Sequence, residues 1–299
     1  MTDYGHDLLF GSFVTPVAEP VSQAVELAVL SERLGLDLVT FQDHPYLASF
    51  LDTWTLMSFV AARTERVRIS GNVLNLPLRQ PAVLARSVAS LDRLSGGRVE
   101  LGIGTGAFWD GIAAMGVDRL APGESVEALA EAIAIIRGVW AVEEKDRLRV
   151  NGRFHRVAGI QRGPAPAHDI RIWVGGYRPR MLGLVGRLAD GWVPSLSYLP
   201  NGVDSLGEMN RIIDDAATAA GRDPRAVVRL LNINGEFRRT SGDLLQGPPE
   251  QWAEELTDLA LGHGVSGFIL VSDDPSTLEV FAREVAPRVR ELVAAEREP

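Results

Sequence analysis

Hydrophobic positions follow two alternating patterns along almost the whole chain. Short apolar runs are typical of buried strands, and stretches with apolar residues three or four positions apart are typical of helices that face a core. Gly, Pro and Asp residues separate these stretches, and such residues end regular structure. The pattern therefore predicts eight strands, each followed by a helix.

The predicted strands are short and apolar, and they cover 8–15, 37–41, 67–71, 98–103, 171–174, 191–194, 227–233 and 267–271. The predicted helices lie between them and after the last one, at 20–34, 52–63, 81–94, 124–142, 179–188, 203–220, 249–261 and 275–295. Strands this apolar are typical of a parallel sheet that is covered on both faces.

The regular alternation lapses after the fourth strand. A hairpin is predicted at 147–157, turning at Asn151-Gly152, a pair that suits a positive-φ turn. Pro164 and Pro166 make the following stretch a stiff connector. Because the strand–helix alternation then resumes in the same style, we expect one domain over 1–299 with an insertion at about 107–168.

Eight strand–helix units in a chain of 299 residues fit an α/β fold, the closed (β/α)8 TIM barrel, with the insertion after strand 4. The competing architecture is an open, doubly wound sheet. In its favour, Gly102, Gly104 and Ala107 match the G-x-G-x-x-G/A dinucleotide fingerprint. That match is weak, because the segment comes fourth in order and no strand ending in an acidic residue follows at the expected distance. We expect the barrel.

Composition excludes several kinds of chemistry. The chain has no cysteine, which excludes disulfides, thiolate nucleophiles, iron–sulfur clusters and cysteine-based zinc sites. Its net charge of −9 argues against a nucleic-acid-binding face. Histidines are not paired at ligand spacing, so we expect no metal site.

Without a targeting segment or a long apolar run, we expect a cytoplasmic protein that does not enter the membrane.

In a barrel, the residues just past each strand carry the chemistry. Asp43 and His44 follow the second strand, and His44 is the one histidine of the five that is placed at a strand's C-terminal end. An imidazole can donate to a carbonyl or move a proton near neutral pH. The alternative is that Asp43 and His44 form a hydrogen-bonded loop pair without chemistry.

Polar and small residues also follow the next two strands. Asn72 and Val73 come after the third strand, and Gly104-Thr105-Gly106 come after the fourth. Glycines on both sides of a threonine let the backbone approach a flat or anionic ligand closely. A polar strand end and a tight turn into the insertion would explain the same residues without a ligand.

Gly175 and Gly176 follow the fifth strand and open a helix. Free N–H groups at a helix start bind anions, and Arg178 or Arg180 could hold a phosphate through two parallel hydrogen bonds. The alternative is a capped turn with solvated arginines. We expect a phosphate site, although no P-loop is present.

These stretches together resemble the bacterial-luciferase-like superfamily of flavin- and deazaflavin-dependent oxidoreductases. The most specific stretch is LDRLSGGRVELGIGTG, at 91–106. Further matching stretches are FQDH at 41–44, RVRISGN at 66–72, LPLRQP at 76–81, IWVGG at 172–176 and LADGW at 188–192. The resemblance covers 8–194 well and is generic beyond.

The resemblance implies that an isoalloxazine-type ring lies at the C-terminal mouth of the barrel. His44 would lie near the reactive edge of the ring, with Asp43 beside it. A non-prolyl cis peptide would follow the third strand, at Gly71–Asn72 or Asn72–Val73, and would shape the bed of the ring. The other implied cofactor-binding residues would hold the ring, ribityl chain or phosphate, and they are Gly104, Thr105, Gly106, Gly175, Gly176 and Arg178.

The chain departs from some relatives immediately after Gly-Thr-Gly. Some deazaflavin-dependent members of the superfamily that oxidise sugar phosphates have a glutamate acid there, where this chain has Ala107, Phe108, Trp109 and Asp110. Asp110 could substitute for that glutamate, but the departure argues against sugar-phosphate oxidation. Phe108, Trp109 and Met115 instead resemble an apolar wall for a less polar substrate, or they simply pack within the insertion.

The resemblance leaves two cofactors open. One is coenzyme F420, a deazaflavin that transfers hydride to or from a small organic substrate. The other is reduced FMN, supplied by a partner flavin reductase and used for monooxygenation with O₂. Lys145 is the only lysine beside 29 arginines among the 30 basic residues, as in high-GC genomes where deazaflavin enzymes are common, so we favour F420. By resemblance we also expect a homodimer.

Two hypotheses from other functional classes stay open. Carboxylates near strand ends could form the catalytic carboxylate pair of a TIM-barrel hydrolase. The candidates are Asp43, Asp190, Glu236 and Asp273. A glycine-rich phosphate site argues against this reading, since such hydrolases have no use for one. The other reading is a non-catalytic flavin-binding protein.

Overall fold

The computed structural model describes residues 3–298, and a ring of eight parallel strands forms its centre. These strands are β1 (Leu9–Val14), β2 (Leu38–Phe41), β3 (Arg68–Gly71, resuming at Leu74–Asn75), β4 (Leu101–Gly104), β5 (Ile172–Val174), β6 (Gly191–Trp192), β7 (Val228–Ile233) and β8 (Gly267–Val271).

Each strand pairs in parallel with its neighbours in chain order, and β8 pairs with β1. Between β3 and β4, Leu74 lies opposite Ile103, and Ile69 bridges to Val99. The ring is therefore closed. This confirms the predicted barrel, and the alternative of an open sheet is wrong.

Helices surround the ring. They are α1 (Gln23–Arg33), α2 (Thr53–Ala61), α3 (Pro81–Ser95), α4 (Trp109–Ala114), α5 (Pro122–Trp140), α6 (Pro179–Leu188), α7 (Ser205–Ala219), α8 (Pro249–His263), α9 (Pro275–Val280) and α10 (Ala286–Arg297), the last two joined by a π-helical turn at Phe281–Val285. Within residues 3–298, none of them has both the length and the apolar character needed to cross a bilayer.

Local chemistry explains where these helices begin and end. The carboxylate of Asp52 accepts a hydrogen bond from the Thr55 backbone N–H and caps α2. α3 begins at Pro81, which suits the first helical position, and its last residue is followed by Gly96, whose φ of 74° is in the left-handed region. These capping residues account for the agreement, to within one residue, between the predicted and observed start of α2 and both ends of α3.

The predicted insertion contains both ring and non-ring elements. α5 packs against α3 and α6, so it belongs to the outer layer of helices. The hairpin strands follow at Leu148–Asn151 and Arg156–Ile160. The predicted positive-φ turn at Asn151-Gly152 is wrong, because neither residue has a positive φ. The carboxylate of Glu131 on α5 instead accepts hydrogen bonds from the turn's backbone N–H groups and sets its shape.

The core has two layers. Apolar side chains from the outer faces of the strands pack against the helices, and a smaller cluster that includes Leu38, Trp173 and Ile269 draws on strands all around the ring. Gly102 is explained by packing, since a Cβ at this position would overlap the carbonyl oxygen of Gly71 on β3. The first glycine of the apparent dinucleotide fingerprint is therefore needed for the close approach of β3 and β4.

Candidate active site

An open cavity of about 870 Å³ lies at the end of the barrel where the strands finish. All eight strands, or the loops that follow them, contribute to its wall, which is the arrangement that barrel enzymes use. The lining residues are Phe13, Gln42, Asp43, His44, Tyr46, Asn72, Val73, Leu74, Asn75, Gly104, Thr105, Gly106, Ala107, Phe108, Gly175, Gly176, Tyr177, Val193, Ser195, Ser197, Tyr198, Asn232, Asn234 and Val271.

Most residues predicted for the site lie together on this wall. The structure places Asp43, His44, Asn72, Val73, Gly104, Thr105, Gly106, Gly175 and Gly176 there. Arg178 does not line the cavity. It is exposed and immediately precedes α6, on the same loop as Gly175 and Gly176.

His44 is half-buried among aromatic rings. Its Nδ1 lies 2.6 Å from the hydroxyl oxygen of Tyr46, and the ring of Phe108 meets it edge-on with 5.3 Å between centroids. Burial lowers the pKa of His44 below its ordinary value of 6.5, and the nearby carboxylate of Asp43 offsets part of that effect. The imidazole is therefore neutral at pH 7 and available to accept a proton.

Asp43 lies behind His44 and is fully engaged by the protein. One carboxylate oxygen accepts hydrogen bonds of 2.8 Å from the backbone N–H of Asn75 and from Nε of Arg79. The other accepts a 2.8 Å hydrogen bond from a terminal nitrogen of Arg79. Because this ion pair occupies both oxygens and the carboxylate is buried, the geometry supports a positioning role for Asp43 rather than proton transfer.

The third strand is interrupted by a non-prolyl cis peptide between Asn72 and Val73, at one of the two positions that the family resemblance implied. Val73 lies on the cavity floor between two glycines. A Cβ at Gly104 would overlap its side chain, and Gly175 approaches it from the other side. Gly106 has a φ of 81°, which also favours glycine. These glycines therefore allow close packing around Val73 and Ile112 on this part of the wall.

A polar cluster lies beside this floor. The side-chain amide of Asn72 donates a 2.7 Å hydrogen bond to Oδ1 of Asn232 on β7, and the amide of Asn232 donates to the hydroxyl of Ser195 at 3.2 Å. Asn75, which is also buried, keeps its side-chain oxygen without a hydrogen-bond partner. Since a buried acceptor normally has a donor, this oxygen fits a ligand N–H or O–H group.

Several lining residues were not predicted, although one signal was available. Phe13, Val193, Asn232 and Val271 lie near the ends of β1, β6, β7 and β8. Examining the residues at the ends of these strands in the same way as for the second to fifth strands would have found them, because all strands of a parallel barrel end at one mouth.

Three further candidates lie at or beyond the edge of the site. Arg180 does not line the cavity, and its guanidinium pairs with Glu127 on α5. Asp110 is no substitute acid, since its side chain is 99% exposed and pairs with Arg119. Of the predicted apolar wall, Phe108 lines the cavity, but the lining includes neither Trp109 nor Met115.

The hydrolase alternative lacks its carboxylate pair. Among the lining residues Asp43 is the single carboxylate, and it is bound to Arg79. Asp190 precedes β6 and pairs with Arg137, while Glu236 pairs with Arg238. Within residues 3–298, no cluster of acidic and histidine side chains is arranged to hold a metal ion.

Comparisons with known proteins agree with the fold. The family described as luciferase-like monooxygenase matches residues 3–236. An F420-dependent glucose-6-phosphate dehydrogenase of Microbacterium testaceum is 28% identical over 91% of this chain and 86% of its own length. A 5,10-methylenetetrahydromethanopterin reductase of Methanolobus tindarius is 31% identical over 74% of this chain, and the match spans 63% of that protein.

A solved structure of an F420-dependent secondary alcohol dehydrogenase, in complex with an F420-acetone adduct, has the same fold. The TM-score is 0.82, the identity is 18%, and the alignment covers 95% of this chain and 99% of that one. The chain belongs to the luciferase-like monooxygenase family.

Proposed function

We propose that this protein is a coenzyme F420-dependent oxidoreductase that transfers hydride between the cofactor and a small organic substrate. The observation that carries the proposal is the position of His44, a neutral imidazole on the wall of a cavity whose floor is lined by glycines. The names of the F420-dependent relatives support this choice of cofactor. When bound, the deazaflavin ring supplies a two-electron hydride donor or acceptor.

The residues of the cavity fit such a ring. Gly175 lines the cavity beside Val73 and adds no Cβ there, which would leave space for the ring. The unpartnered oxygen of Asn75 could accept a hydrogen bond from an N–H on the edge of the ring. The loop at Gly175 and Gly176 leads into the start of α6, where backbone N–H groups and the exposed Arg178 would hold the cofactor's phosphate.

His44 would serve as the acid–base group. In alcohol oxidation it accepts the hydroxyl proton of the substrate, and in ketone reduction it returns that proton. Positioned proton transfer of this kind contributes roughly 100-fold to 10,000-fold to a rate. Asp43 holds the loop that carries His44, through its bonds to Arg79 and the Asn75 backbone.

The first test is a fluorescence titration of the purified chain with F420 and, separately, with FMN. We expect F420 to bind with a Kd on the order of 1 μM and FMN to bind far more weakly. Gly175→Ala sharpens the test. Its Cβ would meet protein atoms at no less than 3.6 Å, so the fold tolerates it, but it would project toward the ligand space and weaken F420 binding.

Gly207→Ala is the matched control, because a Cβ there meets nothing within 4 Å and Gly207 lies on α7, outside the cavity.

His44→Ala should keep its affinity for F420 and lose about 100-fold or more in kcat, which separates an enzyme from a non-catalytic binding protein. Binding of neither cofactor would refute the proposal.

A reduced-FMN monooxygenase is the second candidate, and the family description favours it. Selective FMN binding in the same titration, with O₂ consumption when a flavin reductase is added, would establish it in place of the F420 enzyme.

A further inference from the structure

We infer that the cavity accepts an uncharged alcohol or carbonyl compound and excludes phosphorylated or carboxylated substrates, an inference that rests on the proposed function. It departs from the activity of the similar protein of Microbacterium testaceum, whose name specifies glucose 6-phosphate. The argument depends on the charges of the cavity wall.

The cavity wall is close to electrically neutral. Among its lining residues, all of which belong to the part of the chain that the structure describes, there is neither a lysine nor an arginine. Its one carboxylate, on Asp43, is neutralised by the two-point ion pair with Arg79. Burial also keeps His44 in its uncharged form at neutral pH by lowering its pKa.

Arg178, at the start of α6 and outside the cavity lining, is assigned above to the cofactor's phosphate, and three further arginines near the cavity already have anionic partners. Arg79 pairs with Asp43 and also contacts Asp52, Arg119 pairs with Asp110, and Arg180 pairs with Glu127. A phosphate monoester carries about 1.5 to 2 negative charges at pH 7, and a buried anion without a cationic partner is strongly disfavoured. Such a substrate finds no partner on this wall.

The same wall suits a neutral molecule with one polar group. Phe13, Phe108 and Val271 present apolar surface, while Gln42 and Asn234 offer side-chain amides. A secondary alcohol bound there would give up its carbinol hydrogen with two electrons to the oxidised deazaflavin that the cavity is proposed to hold. Its hydroxyl proton passes to His44, so that a ketone is the product. Ketone reduction is the exact reverse and consumes the reduced cofactor.

The test uses the full chain after F420 binding has been measured, so that failure of the cofactor proposal is seen first. With reduced F420, we would compare methyl 4-oxocyclohexanecarboxylate with the free 4-oxocyclohexanecarboxylate ion, two ketones that differ mainly in charge. A panel of neutral secondary alcohols, together with glucose 6-phosphate, would be assayed with oxidised F420. We expect kcat/KM for the ester to exceed that for the acid by about 100-fold, and we expect no turnover of glucose 6-phosphate.

A charge placed on the wall should reverse part of this preference. Val271→Arg adds a cation at the cavity rim, where Val271 is 43% exposed, and should reduce the ester-to-acid ratio to about 10 or less. Val21→Arg, at a 63% exposed position outside the cavity, makes the same charge change and should leave the ratio unaltered. If F420 binds but glucose 6-phosphate is oxidised, or no neutral compound reacts, the inference is overturned while F420 binding still stands.

A second, independent observation concerns Tyr46. The geometry points to Tyr46 as a positioning residue that holds the imidazole of His44 through a hydrogen bond between its hydroxyl and Nδ1. Nδ1 lies 2.6 Å from the hydroxyl oxygen of Tyr46. This hydrogen bond occupies Nδ1 and leaves Nε2 free to contact the substrate. The tyrosine ring is itself held in place, since Gly111 on α4 lies so close to it that a Cβ there would overlap the ring.

This contact stabilises the state that His44 reaches after it accepts a proton. Both nitrogens of an imidazolium are donors, so Nδ1–H requires an acceptor, and the Tyr46 oxygen provides it. Two titratable groups face His44. The carboxylate of Asp43 acts on its pKa, and the hydroxyl of Tyr46 contacts its ring. Arg79 lies behind Asp43 and pairs with it. Phe50 and Phe108 complete the surroundings without charge.

Tyr46→Phe tests this role. We expect kcat for alcohol oxidation to fall about 10-fold, with the Kd of F420 unchanged. The acid limb of the kcat/KM profile should move to lower pH, because the imidazolium loses its acceptor. Tyr4→Phe is the control, since the Tyr4 hydroxyl binds Asp214 near the opposite end of the barrel. An unchanged acid limb, or weaker F420 binding in Tyr46→Phe, would contradict the role.

Discussion

Asp43 joins three segments of the chain at the cavity floor. It belongs to the loop after β2, accepts from the backbone of Asn75 at the end of β3, and pairs with Arg79 beyond the following turn. His44 is its immediate neighbour, so the position of the imidazole depends on these bonds. The carboxylate thus acts on the site through geometry.

Asp43→Asn should therefore destabilise the protein. It leaves the buried guanidinium of Arg79, whose side chain is only 15% exposed, without its main anionic partner. Removing one member of a buried ion pair costs about 3 kcal/mol or more of the free energy of unfolding, which urea denaturation would measure.

Asp52→Asn is the matched control for this change. Asp52 contacts the same guanidinium at 3.3 Å, but its side chain is 47% exposed, and asparagine caps α2 as well as aspartate does. Its cost should stay below about 1 kcal/mol. Equal losses in the two variants would show that burial of the Asp43 pair is unimportant.

At the scale of elements, α6 and α7 approach each other closely through a glycine. A Cβ on Gly186 would overlap the carbonyl oxygen of Ile213 on α7. Gly186→Ala should separate the helices and lower the free energy of unfolding by about 2 kcal/mol, as measured by urea denaturation.

Gly183→Ala, one turn earlier on α6, provides the comparison. A Cβ there meets only the end of the flexible Arg187 side chain, so alanine should be neutral or should stabilise the helix by up to about 1 kcal/mol. A similar loss in both variants would indicate a general effect on α6 instead of a contact with α7.

The strands and helices could be predicted because their signals are local. Each signal lies in or next to the element that it defines. Examples are the apolar run at Gly267–Val271 and the boundaries of α3 at Pro81 and Gly96. The turn of the hairpin could not be predicted, since the Glu131 carboxylate that shapes it lies on another element. The ion pair of Arg180 could not be predicted for the same reason, because its partner Glu127 is distant in the chain.

At the scale of the whole molecule, closure of the ring brings the ends of all strands to one mouth. This is why a residue such as His44 could be placed at the site from its position after a strand. The amide pair of Asn72 and Asn232 could not be predicted, because it joins β3 and β7 across the ring. Assembly into a homodimer stays a prediction, which the mass of the purified protein in solution would test.

Cofactor and substrate should respond differently to salt, because the cavity wall is neutral while the protein as a whole is negatively charged. The protein has a net charge of −9, so at low salt its long-range field repels an anionic, phosphate-bearing cofactor. Salt screens that field, since the Debye length is about 10 Å at 0.1 M, and cofactor association should accelerate as salt is added. A neutral substrate feels no such field, and its KM should not change. In dilute buffer, capture of the cofactor would then limit the enzyme.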